Sequence, residues 1–320
     1  MTTTTLPIDP VAGRRRRISM SRTGRWLLVV QEPQVELVDL FGTMPTRTVP
    51  RIDGPIEIVG RELWGLDGGA LVRIAPGDLR ALPAPPSLPV RPAEIVPGIG
   101  AACTEALITG APPCRISVRD DAVAIDPLDD LLDGEAPIAI HGSRLFVTSP
   151  GMIRAIDRAR GEAWRIARLG GDVLALSVLF GGRALALLVR RAADDAILVL
   201  HGNGARIHQL AVPRVARWAV AEELGHAFLL GGDQAITRVD LRYGRAIADG
   251  RPPFPISELV VDQDGRHAVL ASADGGEVLQ VLTSELVLPQ PAAGAAAGDG
   301  EPPARAPGPG EAPSGEAAPA

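Results

Sequence analysis

The sequence predicts an all-β fold, a single seven-bladed β-propeller of four-stranded antiparallel blades, on three observations. Short apolar runs separated by tight polar turns recur along the chain at intervals near 40 residues. The second run of several units is apolar at successive positions, where a strand with one wet face would alternate. An aspartate recurs where third runs end.

The clearest unit is residues 259–282, LVVDQDGRHAVLASADGGEVLQVL, in which the turns Asp262-Gln263-Asp264-Gly265-Arg266 and Ser272-Ala273-Asp274-Gly275-Gly276 separate three apolar runs. Both turns are rich in residues that tolerate positive φ or form Asx turns, so the stretch reads as a three-stranded meander. One meander cannot bury its own faces, and its stability depends on neighbours of the same kind.

From the N-terminus, the first unit places strands at residues 14–20, 25–30 and 35–39, with a fourth at 46–50 and a turn at Thr23-Gly24. The second has strands at 56–59, 63–66 and 70–74 around Gly60-Arg61, followed by a proline-rich connector, residues 83–92, too poor in donors for a central strand. The third, least regular, has strands at 105–108, 115–118 and 122–126, turning at Gly110 beside Pro112-Pro113. The fourth has strands at 138–141, 144–148 and 152–157 around Gly142-Ser143, and the fifth at 173–178, 184–189 and 196–200 around Gly181-Gly182. The sixth has strands at 218–221, 227–230 and 235–240, turning at Gly225; the seventh is the clearest unit, with residues 284–288 as its outer strand. First-turn glycines thus fall at 24, 60, 110, 142, 182, 225 and 265. If the third unit is not a blade, the ring has six.

The second runs at residues 26–30, 184–189, 227–230 and 268–271 last only four to six residues between turn signals, too short for helices. They require cover on both faces, which neighbouring blades in a ring supply. Asp39, Asp126, Asp157 and Asp240 each close a third strand in this reading, and a Gly follows Asp157 and Asp240 four residues on. Equivalent positions in different units mark them as turn-closing groups rather than metal ligands.

An apolar share of 46% supports a real core, and with aromatics at 3% that core is built from Leu, Val, Ile and Ala. All 32 basic residues are Arg, which excludes a phosphate-loop lysine, a Schiff base and a Ser-Lys dyad. The expected organisation is a flexible lead-in over residues 1–13, the propeller over 14–288, and a disordered Ala/Gly/Pro/Glu tail over 289–320. No leader-like or membrane-length apolar stretch occurs. Cys103 and Cys114 fall in one hairpin out of register with each other, so two free thiols and a cytoplasmic location are expected.

No catalytic, cofactor-binding or metal-binding set is expected. The five histidines, His141, His201, His208, His226 and His267, show no metal-ligand spacing, and HExxH, CxxC and GxSxG are all missing. Two charge clusters are candidate partner-binding patches. Arg14, Arg15, Arg16 and Arg17, with Arg22 and Arg25, precede the first acid of the body at Glu32; they suit an acidic protein partner or are simply the solvated residues of an edge strand. Nucleic acid is not expected, because no aromatic residues interleave with them. Asp129, Asp130 and Asp133 lie in an acidic stretch, DDAVAIDPLDDLLDGE, that does not match a calcium-loop register and reads as a solvated inter-blade loop, with a calcium or partner site as the alternative.

The units GRWLLVVQEPQVELVDL, ITRVDLRYGRAI and DQDGRHAVLASADGGEVLQVL resemble blades of WD-type and YVTN-type bacterial propellers, in which a DGR-like turn precedes the second strand and an Asp ends the third. The Gly-His and Trp-Asp dipeptides of WD repeats are missing. The resemblance spans residues 14–288 and implies a closed ring with a central channel that docks other proteins; bacterial propellers of this plain type also accompany ATPase and von Willebrand A partners. A minority of the class are lactonases, other hydrolases or quinone-dependent dehydrogenases. The expectation is a monomeric, non-catalytic scaffold or adaptor with protein partners, the alternative a lactonase-like hydrolase with its site at the channel mouth.

Overall fold

The structure, a computed structural model, describes residues 4–8, 16–83, 88, 91–99, 104–119, 122–286 and 288–289. Seven antiparallel sheets follow one another, each a blade of a seven-bladed propeller. Blade one is Arg17–Met20, Trp26–Gln31, Gln34–Asp39 and Arg47–Thr48. Blades four, five and six open at Ala136–His141, Asp172–Leu179 and Val215–Ala221. The first strands touch at six of the seven joints between blades, so they form the inner wall of the ring.

The physical cause of the ring lies in the second strands. Ala184–Arg190 is buried at its first six positions, and Ala227, Phe228, Leu229 and Leu230 are all buried. Successive residues face opposite ways, and each face meets a different neighbour. Leu185, Leu187 and Val189 pack toward blade four, while Ala186 and Leu188 pack toward blade six. Seven apolar clusters result, one at each joint between blades.

Closure of the ring differs from the expectation. Within the stretch expected to be a loose lead-in, Thr4–Thr5 pairs with Val278–Leu282 and supplies the outer strand of blade seven, with Leu6 and Ile8 each only 7% exposed in the joint between blades seven and one. Residues 284–288 do not form that strand: Thr283–Leu286 is one helical turn, and Leu288–Pro289 pairs instead with Arg245–Gly250 of blade six. Once the N-terminal strand occupies the outer edge of blade seven, the chain end is free to cross to its neighbour.

Blade three also differs. Its inner strand is Arg91–Pro97, and Glu105–Ala111 is the second strand rather than the first. Pro92 and Pro97 are tolerated because this strand is the sheet's edge, where a missing N–H breaks no ladder. The first turn is closed by Gly98 N donating to Glu105 O at 2.8 Å, and Gly110 sits at a bulge in the second strand. With Gly98 in place of Gly110 the spacing becomes regular, and all seven blades stand. Asp126 consequently lies in the fourth strand, Ala122–Pro127, opposite Arg115, not at a third-strand end. Among the described residues blade two shows three strands, Ile56–Val59, Glu62–Asp67 and Ala70–Ile74, and at its fourth position a bridge between Ile74 and Ala81. The connector that follows holds Pro83, Pro85, Pro86 and Pro89, which have no N–H to donate.

First-turn glycines serve both conformation and packing. Gly225 has φ +69°, and a Cβ there would lie 2.3 Å from Phe180 Cζ of the preceding blade. Gly142 has φ +59° with open space around it. Gly225→Ala combines left-handed strain with overpacking and is expected to lower unfolding free energy by about 2–4 kcal/mol, against about 1 kcal/mol for Gly142→Ala; urea denaturation of the two variants checks the difference. Removing residues 1–8 exposes the sites of two buried aliphatic side chains and is expected to cost about 3–6 kcal/mol, read as a lowered denaturation midpoint with the β-sheet circular dichroism retained.

Candidate functional site

The first turns meet at one mouth of the inner ring, where backbone bonds tie blade to blade. Gln263 N donates to Arg22 O at 3.2 Å, Glu223 N to Gln263 O at 3.2 Å, and Phe180 N to Glu222 O at 3.3 Å. These link blades one, seven, six and five in series. Arg22 of blade one also donates through Nη1 to Glu222 Oε2 of blade six at 2.5 Å, with the two side chains 22% and 18% exposed. On the far side of the mouth, His141 of blade four is held below the usual imidazole range, first by burial and then by Arg144 and Arg22, against the opposing charge of Glu105. Arg22 thus ties blade one to blade six by a side-chain pair as well as by the backbone.

A cavity of about 660 Å³ opens between blades three and four, lined by Glu105, Arg115, Arg119, Asp126, His141 and Arg158 among others. Its charges largely cancel. Glu105 Oε2 accepts from Arg115 Nε at 3.0 Å and Nη2 at 2.6 Å, and Asp126 lies 3.9 Å from Arg115 Nη1. Arg158 donates to Pro127 O at 3.1 Å and lies 3.7 Å from Asp130.

The clusters singled out in the sequence are treated differently by the fold. Arg14 and Arg15 lie outside the described residues. Arg16 is not a solvated edge residue: it is 1% exposed and donates to Gln31 Oε1 at 3.0 Å. Burial, the largest influence, pushes its pKa down against the fields of Glu36 and Asp274. Arg17 pairs with Glu57 of blade two and donates to Ile56 O at 2.7 Å, while burial holds the Glu57 carboxyl above the usual range. Arg25 lies 3.5 Å from Asp39 and stacks 4.9 Å from the Trp26 ring. Asp129 and Asp133 are exposed, and Asp130 meets Arg158. The described members of the two clusters belong to different blades, Arg16 and Arg17 leading into blade one and Asp129, Asp130 and Asp133 into blade four. Sequence reading missed the Arg22–Glu222 pair; the signal available was that both residues stand beside a recurring first-turn glycine.

The remaining acids and histidines are engaged locally. Asp39 accepts from Phe41 N at 3.1 Å, Asp157 from Ser143 Oγ at 2.8 Å and Ala159 N at 3.1 Å, and Asp240 from Arg242 N at 2.9 Å. These three close turns. Asp262 does the same, taking Arg266 N at 2.7 Å and His267 N at 3.3 Å on one oxygen and His267 Nδ1 at 3.1 Å on the other. His226 Nδ1 faces Arg238 Nε at 3.0 Å, and burial followed by the Arg238 charge keeps the ring below its ordinary pKa. Among the described residues no three His, Cys, Asp or Glu are grouped to hold a metal ion, and no helix is long and apolar enough to cross a membrane. Cys114 is buried and its thiol is pushed up to about 11, first by burial and then by Asp126; Cys103 lies outside the described residues.

No protein-family model matches the sequence, and no curated protein is similar to it at the sequence level. Solved structures share its architecture. The β-propeller domain of Cps50 (Swd1) from Myceliophteria thermophila is 14% identical, with a TM-score of 0.62 over 88% of this chain and 99% of that one. Hydrazine synthase of Kuenenia stuttgartiensis is 13% identical, with a TM-score of 0.61 over 87% and 98%. The WD40 repeats of RRP9 are 8% identical, with a TM-score of 0.60 over 88% and 97%. The chain thus has the fold of the seven-bladed propellers, WD40-repeat proteins among them. At these identities the likeness defines architecture.

Two groups of shifted pKa values set the pH dependence. His141 and His226 sit below their ordinary value, so the unfolded chain protonates first and stability falls as pH drops through about 6.5. Asp39, Asp195 and Glu135 also sit low: burial alone would raise each, and hydrogen bonds and nearby arginines outweigh it. Their contribution is present above the ordinary carboxylate range and is lost as pH falls below about 4. Denaturation midpoints measured from pH 8 to 3 are expected to decline in two steps, with His226→Gln reducing the first and leaving the second.

Proposed function

We propose that the protein is a non-catalytic interaction scaffold that presents its turn surfaces to other proteins. The observation that carries this reading is the commitment of the groups around the first-turn mouth: Glu222 is paired with Arg22, Asp262 closes its own turn, and Glu105 is held by Arg115. What they leave available is exposed turn surface on a rigid ring, the kind of platform on which repeat proteins assemble binding sites. The likeness to WD40-repeat propellers over nearly their whole length supports the same reading. The finer setting, a multiprotein system of the bacterial cytoplasm with partners such as ATPases or von Willebrand A proteins, is part of the proposal and rests on the resemblance of the turn motifs.

The rival reading, a lactonase-like hydrolase, has one observation in its favour, the His267–Asp262 contact at 3.1 Å on the first-turn side. Both Asp262 oxygens are already occupied by turn amides or by that ring, so this aspartate braces a loop and leaves no acceptor aimed at a substrate. Affinity purification of the tagged chain from its native cell after in-cell cross-linking, read by mass spectrometry, is expected to return specific proteins in near-stoichiometric amount. Recovery of the chain alone, together with turnover of a lactone panel that His267→Gln abolishes, overturns the scaffold reading in favour of the enzyme.

A further inference from the structure

Among the described residues, the exposed charge that forms no ion pair differs in sign between the two faces of the ring. First turns and third turns open on one face; second turns and the connections between blades open on the other. On the first-turn face, Arg61 of blade two, Arg183 of blade five and Arg266 of blade seven are exposed and form no ion pair among the described residues. They stand on turns that follow the inner strands, and so lie around one mouth of the ring. Of the acids on those turns, Glu222 is neutralised by Arg22 and Asp262 is consumed by its own turn, which leaves Glu223 and Asp264. On the opposite face the unpaired charge is acidic. Among the described residues, Asp67, Asp129, Asp133, Asp233 and Glu277 are exposed without ion pairs, against Arg168 and Arg251.

We propose that the first-turn face is the docking surface for an acidic segment of a partner protein, with Arg61, Arg183 and Arg266 surrounding the mouth. The inference rests on the scaffold reading and names the face and the chemistry of what it holds. Guanidinium groups carry a fixed charge and bind carboxylates through paired donors, so three of them spaced around a rim suit a chain of several Asp or Glu side chains. A second copy of the ring is the weaker fit: at a formal net charge of −6, copies repel one another at long range. Exposed Phe41 and Tyr243, on the third turns of blades one and six, add aromatic contact area on the same face.

The test uses the full chain and a fluorescein-labelled oligoglutamate peptide, with labelled oligouridylate as the competing polyanion. Fluorescence anisotropy is expected to show binding of the peptide that weakens as salt is raised. The triple variant Arg61→Glu, Arg183→Glu and Arg266→Glu is expected to lose at least about tenfold in affinity, about 1.4 kcal/mol, with an unchanged denaturation midpoint. Glu223→Arg with Asp264→Arg is expected to strengthen binding, and Arg251→Glu on the opposite face to leave it as it was. The proposal is overturned if the triple variant binds as the parent does, if Arg251→Glu produces the larger loss, or if oligouridylate binds more tightly than the peptide. Self-association in sedimentation that the triple variant abolishes overturns it in favour of a second copy. Should proteins captured by affinity purification stay bound to the triple variant, this face is wrong while the scaffold reading stands.

Discussion

Everything in this molecule depends on blades burying one another's faces. A four-stranded sheet has two faces and here neither is left to water, because the second strand of each blade sends successive side chains into two different joints. In blade seven Ala268 and Leu270 join the cluster shared with blade six, while Val269 and Ala271 join the one shared with blade one. A structure of this kind has no terminal layer that tolerates exposure, so it must close. Closure falls to a two-residue strand, Thr4–Thr5, supported by Leu6 and Ile8. Arg16 reinforces it: its buried guanidinium bonds Gln31 of blade one and feels the charge of Asp274 in blade seven.

That division of labour explains which parts of the fold can be read from sequence. Runs such as ALALLV at residues 184–189 announce burial on both sides, because no other short element needs apolar residues at consecutive positions. First turns are legible where Gly must adopt positive φ. Blade three was misplaced because its inner strand, RPAEIVP, reads as a continuation of a proline connector, and only its edge position makes that tolerable. The closing strand has no pattern to read: two threonines beside two prolines look like a tail, and only the vacant edge of the last blade gives them a partner.

The surface is harder to read than the core for a related reason. An arginine run in sequence states a charge but not what answers it. Of the two described members of the run 14–17, one is buried against Gln31 and the other is paired with Glu57 across a joint. Arg61, Arg183 and Arg266 sit in different units, more than 80 residues apart in each case, and form a group only because the ring brings first turns to one mouth. A linear reading finds clusters in the chain, whereas a propeller builds its surfaces from equivalent positions in different repeats.

The same geometry constrains what the acidic residues near the mouth can do. A general acid or base needs a free oxygen aimed at a space where a reacting atom can sit. Turns between inner and second strands are only a few residues long, and their backbone amides must be satisfied locally if the turn is to hold its neighbour in place. Asp262 spends its carboxylate on Arg266 N and His267 N, and it sits so close to Gly24 of blade one that a Cβ at that position would lie 3.0 Å from Asp262 Cβ. A carboxylate that fixes the turn against which the next blade packs cannot also move to take a proton without loosening that joint. The residues able to vary without such a cost are the exposed ones that brace no turn, and around this mouth they are Arg61, Arg183 and Arg266 with Glu223 and Asp264.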